Sequence, residues 1–170
     1  MHVFAPAYKD EDMDELISLS DHMVFNSFTQ WERHKKRIPS SISCGLRINP
    51  GYSEAEPLIY NPCAPYSRLG IPLETFEKGN REGIDGLHFH THCEQNSDAL
   101  ERTLKVVEEK FGKYIREMKW INFGGGHHIT REDYDVQKLI HLIKDFKSRY
   151  GVEVFLEPGE AVGLHTGVLV

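Results

Sequence analysis

Strand-like and helix-like segments alternate along this chain, and that alternation constrains its fold more than any other feature. Short runs rich in β-branched and aromatic residues cover His2–Ala5, His22–Asn26, Ile42–Asn49, Gly86–His90, Trp120–Phe123 and Val152–Glu157. Between them, apolar residues recur at helical spacing. Leu100, Leu104, Val107, Phe111 and Ile115 share one face of a helix that Asn96 or Ser97 can cap. Val136, Leu139, Ile140, Ile143 and Phe146 share a face of a second, which begins near Asp133 and stops at Gly151, where a C-terminal cap belongs. Shorter helices are predicted over 12–19, 29–37 and 73–78. The last three strands start about 33 residues apart, one strand–helix unit each. Alternation of this kind predicts a parallel sheet covered by helices. Residues 49–70 carry four prolines and no periodicity, and read as an ordered loop over one end of the sheet.

Six strands in 170 residues fall short of a closed eight-unit barrel, which typically needs ~250 residues. The chain stops at LHTGVLV, an apolar, strand-like run with nothing after it. The expectation is a piece of a larger protein, cut at both ends.

Composition excludes several classes. With 39% hydrophobic and 27% charged residues the chain is neither disordered nor fibrous. No run approaches the ~20 apolar residues of a membrane span, and the N-terminus turns acidic too early for a signal peptide. The net charge is −6, and the one basic run, HKKR at 34–37, reads as a solvated helix face. No nucleic-acid partner is expected. Three cysteines without CxxC spacing fit a reducing cytoplasm better than a disulfide scaffold or a structural zinc site.

Four segments place chemistry-bearing residues at predicted strand ends, where α/β proteins put their ligands. In GLHFHTHCEQN, His88, His90 and His92 point one way if the strand persists that far. They are either metal ligands, a wall for a flat cofactor, or one core histidine with two exposed neighbours. In NFGGGHH, Gly124, Gly125 and Gly126 either present amides to an anion or make a tight turn, and the loop leads toward a helix N-terminus. LEPGEA puts Glu157 at a strand end, buried with a cationic or N–H partner or solvated in a turn. Arg47 interrupts an apolar strand, as one half of an internal ion pair or as a ligand contact. Imidazole, glycine amides, carboxylate and guanidinium around one rim suit a phosphorylated aromatic cofactor.

These motifs, with LRINPG and SRLG upstream, resemble the fold-type III pyridoxal-phosphate (PLP) decarboxylases, which share the alanine-racemase-like barrel. HVFAPAY, SDHMVFNS, QWERHKKR, HFHTHCEQN and LEPGEAV are most similar to their carboxynorspermidine/carboxyspermidine branch, over essentially the whole chain. The resemblance implies an incomplete (β/α)8 barrel of about six of eight units at 1–161 and the start of a C-terminal β-domain at 162–170. It implies PLP as cofactor and decarboxylation of carboxynorspermidine or carboxyspermidine, in polyamine biosynthesis, by a cytoplasmic homodimer. It assigns cofactor contacts residue by residue. His90 stacks on the ring, Cys93 lies near the phosphate, and Gly124, Gly125 and Gly126 bind it. Glu157 pairs with the pyridine nitrogen, and Arg47 lies beneath the ring. Arg68 falls where relatives carry a basic residue near the dimer interface. Glu160 replaces the arginine of ornithine-type EPGR motifs, and with His92 and His128 is assigned to the substrate side.

None of the eleven lysines sits in the strand-end setting of the family's Schiff-base lysine, and Lys119 precedes its strand. The expectation is that this chain alone is catalytically incompetent. Two other readings stand beside it. The first is a metal-dependent barrel hydrolase using the HxHxH histidines. The second is a non-catalytic barrel fragment whose open edge self-associates.

Overall fold

In the computed structural model, which describes residues 1–167, strands and helices alternate throughout. The order is β1 (His2–Phe4), α1 (Met13–Leu19), β2 (His22–Phe25), α2 (Phe28–His34), β3 (Ser43–Asn49), β4 (Ile71–Pro72), α3 (Leu73–Phe76), β5 (Gly86–His88), α4 (Ser97–Ile115), β6 (Trp120–Asn122), α5 (Val136–Tyr150), β7 (Glu153–Phe155) and α6 (Gly159–Gly163). All pairings are parallel, in the order β1-β2-β3-β5-β6-β7. The two-residue β4 extends the end of β3, with Ile71 opposite Ile48.

The local signals explain the long elements. Asn96 caps α4 by accepting the Ser97 N–H at 2.7 Å, and Asp135 caps α5 by accepting the Lys138 N–H at 2.8 Å. Gly151 closes α5 at φ 71°, a left-handed conformation that suits glycine. The predicted α4 face is buried along its whole length. The α5 face is only partly so: Leu139 and Phe146 are buried, while Val136 and Ile140 are 40% and 38% exposed. Among the described residues, the first turns of α5 are only partly covered.

Two expectations change at the C-terminal end. The Pro–Gly turn opens a short helix, α6, which crosses the boundary expected at 161/162. Residues 164–167 are not strand, so the strand-like reading of LHTGVLV fails over its described part, and 168–170 lie outside the described residues. Residues 49–70 form the predicted loop, with one turn of 3-10 helix at Leu58–Tyr60.

The two faces of the sheet differ in chemistry. Met23, Phe25, Cys44, Leu46, Ile48, Leu87, Phe89, Ile121 and Phe123 form the hydrophobic core with the helices. The alternate positions line a polar and aromatic concave face. Its lower layer holds His2 and His22, stacked at 5.3 Å, with Trp120 at 5.1 Å from His2 and Phe155 at 5.3 Å. The indole crosses Gly45 and Gly86, where an added Cβ would lie 2.3 and 2.1 Å from its ring atoms. Its Nε1 donates to Ser43 Oγ at 2.8 Å, which donates to Asp85 at 3.0 Å.

Side chains of the two edge strands meet across this face. In a flat sheet, β1 and β7 would stand about 24 Å apart at ~4.8 Å per strand. Yet His2 of β1 lies 5.3 Å from Phe155 of β7, and its Nε2 is 3.1 Å from Asn122 Nδ2 on β6. The sheet is therefore curled into an incomplete α/β barrel, with the polar face inside.

Candidate functional site

Above the Trp120 layer, the next set of inward residues is Phe4, Arg47, His88 and Asn122, joined by Glu157 just past β7. Strand register places Arg47 opposite His88, and His88 opposite Asn122. Asn122 Nδ2 donates to Glu157 Oε1 at 2.7 Å, while its Oδ1 accepts the Gly124 N–H at 2.8 Å. Glu157 Oε2 faces two imidazoles, His88 Nε2 at 3.8 Å and His90 Nδ1 at 4.0 Å, both beyond hydrogen-bond length. Arg47 is buried; its Nη2 donates to the His90 carbonyl at 3.2 Å and its guanidinium lies 4.8 Å from the Phe4 ring centre.

Electrostatics follow from burial. His88 is held well below the ordinary imidazole value by burial, with the Arg47 charge, His90 and His2 adding to it. Burial and Arg47 also lower His90. Burial brings Arg47 down to about 10, opposed by Cys63 and Glu157. Glu157 is raised by burial, against the downward pull of the Asn122 hydrogen bond and the Arg47 charge. The site thus holds imidazoles biased toward the neutral form, a guanidinium, and the Glu157 carboxyl group with one oxygen lacking a hydrogen bond.

His90, the glycine triplet and Glu157 converge as predicted. Gly125 N–H points to His90 Nδ1 at 3.5 Å, and Glu157 N–H donates to Gly124 O at 2.9 Å. A Cβ on Gly125 would lie 2.7 Å from Glu157 O and 3.1 Å from His90 Cε1, so only glycine lets the three segments meet. The triplet does not present three free amides, however. The first turns inward to Asn122 and the second to His90; among the described residues the Gly126 N–H alone has no hydrogen bond. Nor does it run directly into a helix, since α5 begins at Val136.

The HxHxH histidines do not form one cluster. β5 ends at His88, and the chain turns before His92, which stacks on His127 at 5.1 Å. Strand alternation cannot be extended past the last ladder residue. His92 does not join the other two: the ligand atoms that lie within 4.8 Å of one another here are those of His88, His90 and Glu157. Cys93 borders the cleft with Phe4, Arg47, Tyr60, His90, His92 and Glu157, and the cleft holds about 540 Å³. Glu160 stands on α6 with Oε2 3.2 Å from His128 Nε2. Lys119 lies below β6, paired with Asp85 at 2.8 Å, at the opposite end from the cleft. Asn122, which the sequence reading did not single out, carries more of the site than its letter indicates; the available signal was strand alternation on β6, which puts it on the same face as Trp120.

No protein-family model matches the chain. The carboxynorspermidine/carboxyspermidine decarboxylase of Campylobacter jejuni is 54% identical over 170 residues, all of this chain and 44% of that protein. The carboxyaminopropylagmatine decarboxylase of Synechocystis is 38% identical, again over all of this chain and 44% of the relative. A crystal structure of C. jejuni carboxynorspermidine decarboxylase complexed with norspermidine superposes with a TM-score of 0.87 at 51% identity, covering 98% of this chain and 42% of that one. Diaminopimelate decarboxylase shares the fold at a TM-score of 0.72 and 17% identity. The architecture is that of part of the barrel of the fold-type III PLP decarboxylases. Over its whole length the chain is similar to the carboxynorspermidine/carboxyspermidine decarboxylases, and it spans less than half the length of the relatives it matches.

Proposed function

We propose that this chain forms the cofactor-binding rim of a PLP-dependent decarboxylase acting on carboxynorspermidine or carboxyspermidine. The observation that supports this best is the meeting of His90, Gly125 and Glu157 at one cleft. Its donor set fits PLP: a half-buried carboxyl group with an unbonded oxygen, a partly exposed imidazole, a glycine amide and a guanidinium. When bound, PLP supplies a conjugated ring that accepts the electron pair left as CO₂ departs.

The side chains divide the remaining work. Asn122 fixes Glu157 Oε1, leaving Oε2 to hold a proton on the ring nitrogen. His90 offers its face to the ring, and the Gly125 N–H toward Nδ1 sets that plane. Arg47, positioned by the His90 carbonyl and Phe4, would hold its charge beneath the bound group. Gly124, Gly125 and Gly126 would let the backbone approach the phosphate, with the unbonded Gly126 N–H as a donor, and Cys93 lines the cleft. His92 and the His128–Glu160 pair border the substrate side. The full enzyme is read as a cytoplasmic homodimer. The exposed Leu58, Ile59, Tyr60 and Tyr66 on the 49–70 loop support a partner surface there. Among the described residues, no helix is long and apolar enough to cross a membrane.

PLP added to the 170-residue chain, followed by its absorbance spectrum, tests the reading. Saturable, noncovalent binding is expected, weakened by His90→Ala and by Glu157→Ala, with no CO₂ release from carboxynorspermidine. Binding that ignores both substitutions would overturn it.

A further inference from the structure

Outside the cleft floor, one cluster has donors of the right kind with no hydrogen bond to occupy them. We propose that Glu94, His128 and Glu160 form a binding site for a divalent transition-metal ion of the Zn²⁺ type. One ligand atom from each lies within 4.8 Å of the other two. His128 is only 5% exposed, and neither ring nitrogen has a hydrogen-bond partner. Leaving such a group unsatisfied in the interior costs free energy, so a partner is expected.

The short contact in the cluster is not a hydrogen bond. His128 Nε2 and Glu160 Oε2 are 3.2 Å apart, yet the ring N–H is not aimed at that oxygen. Two ligands of a tetrahedral zinc, at about 2.0–2.1 Å each, stand about 3.3 Å apart. Two acceptors of one ammonium, each ~2.8 Å from nitrogen, stand wider, at about 4.6 Å. This one separation is compatible with two ligands of a shared ion, and Glu94 lies within 4.8 Å of both. Two carboxylates carry the charge that balances a dication, and the imidazole adds a nitrogen ligand. An imidazole among few oxygens selects zinc-like ions over Mg²⁺ or Ca²⁺.

The backbone brings the three segments together. Gln95 N–H donates to Gly126 O at 2.9 Å, and Gln95 pairs with His127 in a parallel bridge, lacing Glu94 to the His128 segment. Thr130 Oγ1 donates to Ala161 O at 2.7 Å, tying that segment to the helix bearing Glu160. Both carboxylates are exposed, so they can close on an ion without disturbing the fold.

The test is equilibrium dialysis of the chain against Zn²⁺, with bound metal quantified. Glu94→Gln and Glu160→Gln are expected to weaken binding at one site by at least about tenfold each, whereas Glu157→Gln leaves it unchanged. Both are surface changes, and circular dichroism checks that the variants fold. Co²⁺ in place of Zn²⁺ is expected to show d–d bands without thiolate charge transfer. Four results overturn the proposal: no saturable Zn²⁺ binding; loss of binding with Glu157→Gln, which would put the ion between His88 and His90; a thiolate band from Cys93; or binding of spermidine but not of Zn²⁺.

Discussion

Asn122 holds Glu157 by one oxygen and the glycine turn by its own carbonyl: Nδ2 to Oε1 is 2.7 Å, and Gly124 N–H to Oδ1 is 2.8 Å. A single buried amide thus couples the end of β6 to the carboxylate past β7. The amide has one orientation that satisfies both contacts, which fixes which Glu157 oxygen stays free.

Asn122→Leu is expected to remove both contacts. The hydrogen bond lowers the Glu157 pKa, so its loss raises that pKa further. Stability should fall by about 1.5–3 kcal/mol, the usual worth of a buried hydrogen bond to a charged group. Urea unfolding measures the first effect, and carboxyl-carbon NMR titration of Glu157 the second. An unchanged titration would remove Asn122 from the site's electrostatics.

Gly125→Ala places a methyl 2.7 Å from Glu157 O and 3.1 Å from His90 Cε1. The backbone here is not left-handed, so the cost is purely one of space. A loss of about 1–3 kcal/mol is expected, together with weaker PLP uptake, because His90 must swing out of line. PLP titration of the variant beside Gly159→Ala, where an added Cβ meets nothing within 4 Å, provides the comparison.

Stability should decline in mild acid. Burial lowers His88, His92 and His127, the last two to about 3 and about 4. Above the ordinary histidine value near 6.5, folded and unfolded chains are both neutral at these positions. Below it the unfolded chain takes up protons first, so stability falls with slopes up to about 1.4 kcal/mol per pH unit for each group. For His92 and His127 the loss continues down to their folded values. Glu157 acts in the opposite sense, since its raised pKa makes the folded state take up a proton first as pH falls. Urea midpoints across pH 7.5 to 5 should therefore drop, and His92→Phe should flatten the curve.

Gly86→Ala would set a methyl 2.1 Å from the Trp120 ring, and the resulting loss should be largely relieved when Trp120 is also shortened to Leu. A double-mutant cycle by thermal unfolding is expected to show coupling of about 0.5–3 kcal/mol. Additive effects would mean that the indole does not press on β5.

The sheet was legible because parallel strand–helix units write themselves locally: a short apolar run, a cap, an amphipathic face. What escaped was made by tertiary contact. β4 is two residues that become a strand only by lying against Ile48. Val136 and Ile140 obey helical periodicity but are only partly covered. In the site, His90, the glycines, Glu157 and Arg47 could be read from strand-end position and motif. His92 was misplaced because alternation was carried past the last paired residue of β5. Asn122 and His2 gain their roles only when the sheet curls and opposite strands touch.

Trp120, wedged over Gly45 and Gly86 and ringed by His2, His22 and Phe155, acts as a plug. It fills the inner face below the Arg47–His88–Asn122 layer, so a guest seated beside His90 and Glu157 has packed aromatic rings beneath it. A long, flexible tail on such a guest cannot thread downward and must run sideways over the rim. Discrimination by tail length then falls to the surrounding loops rather than to the packed layer below.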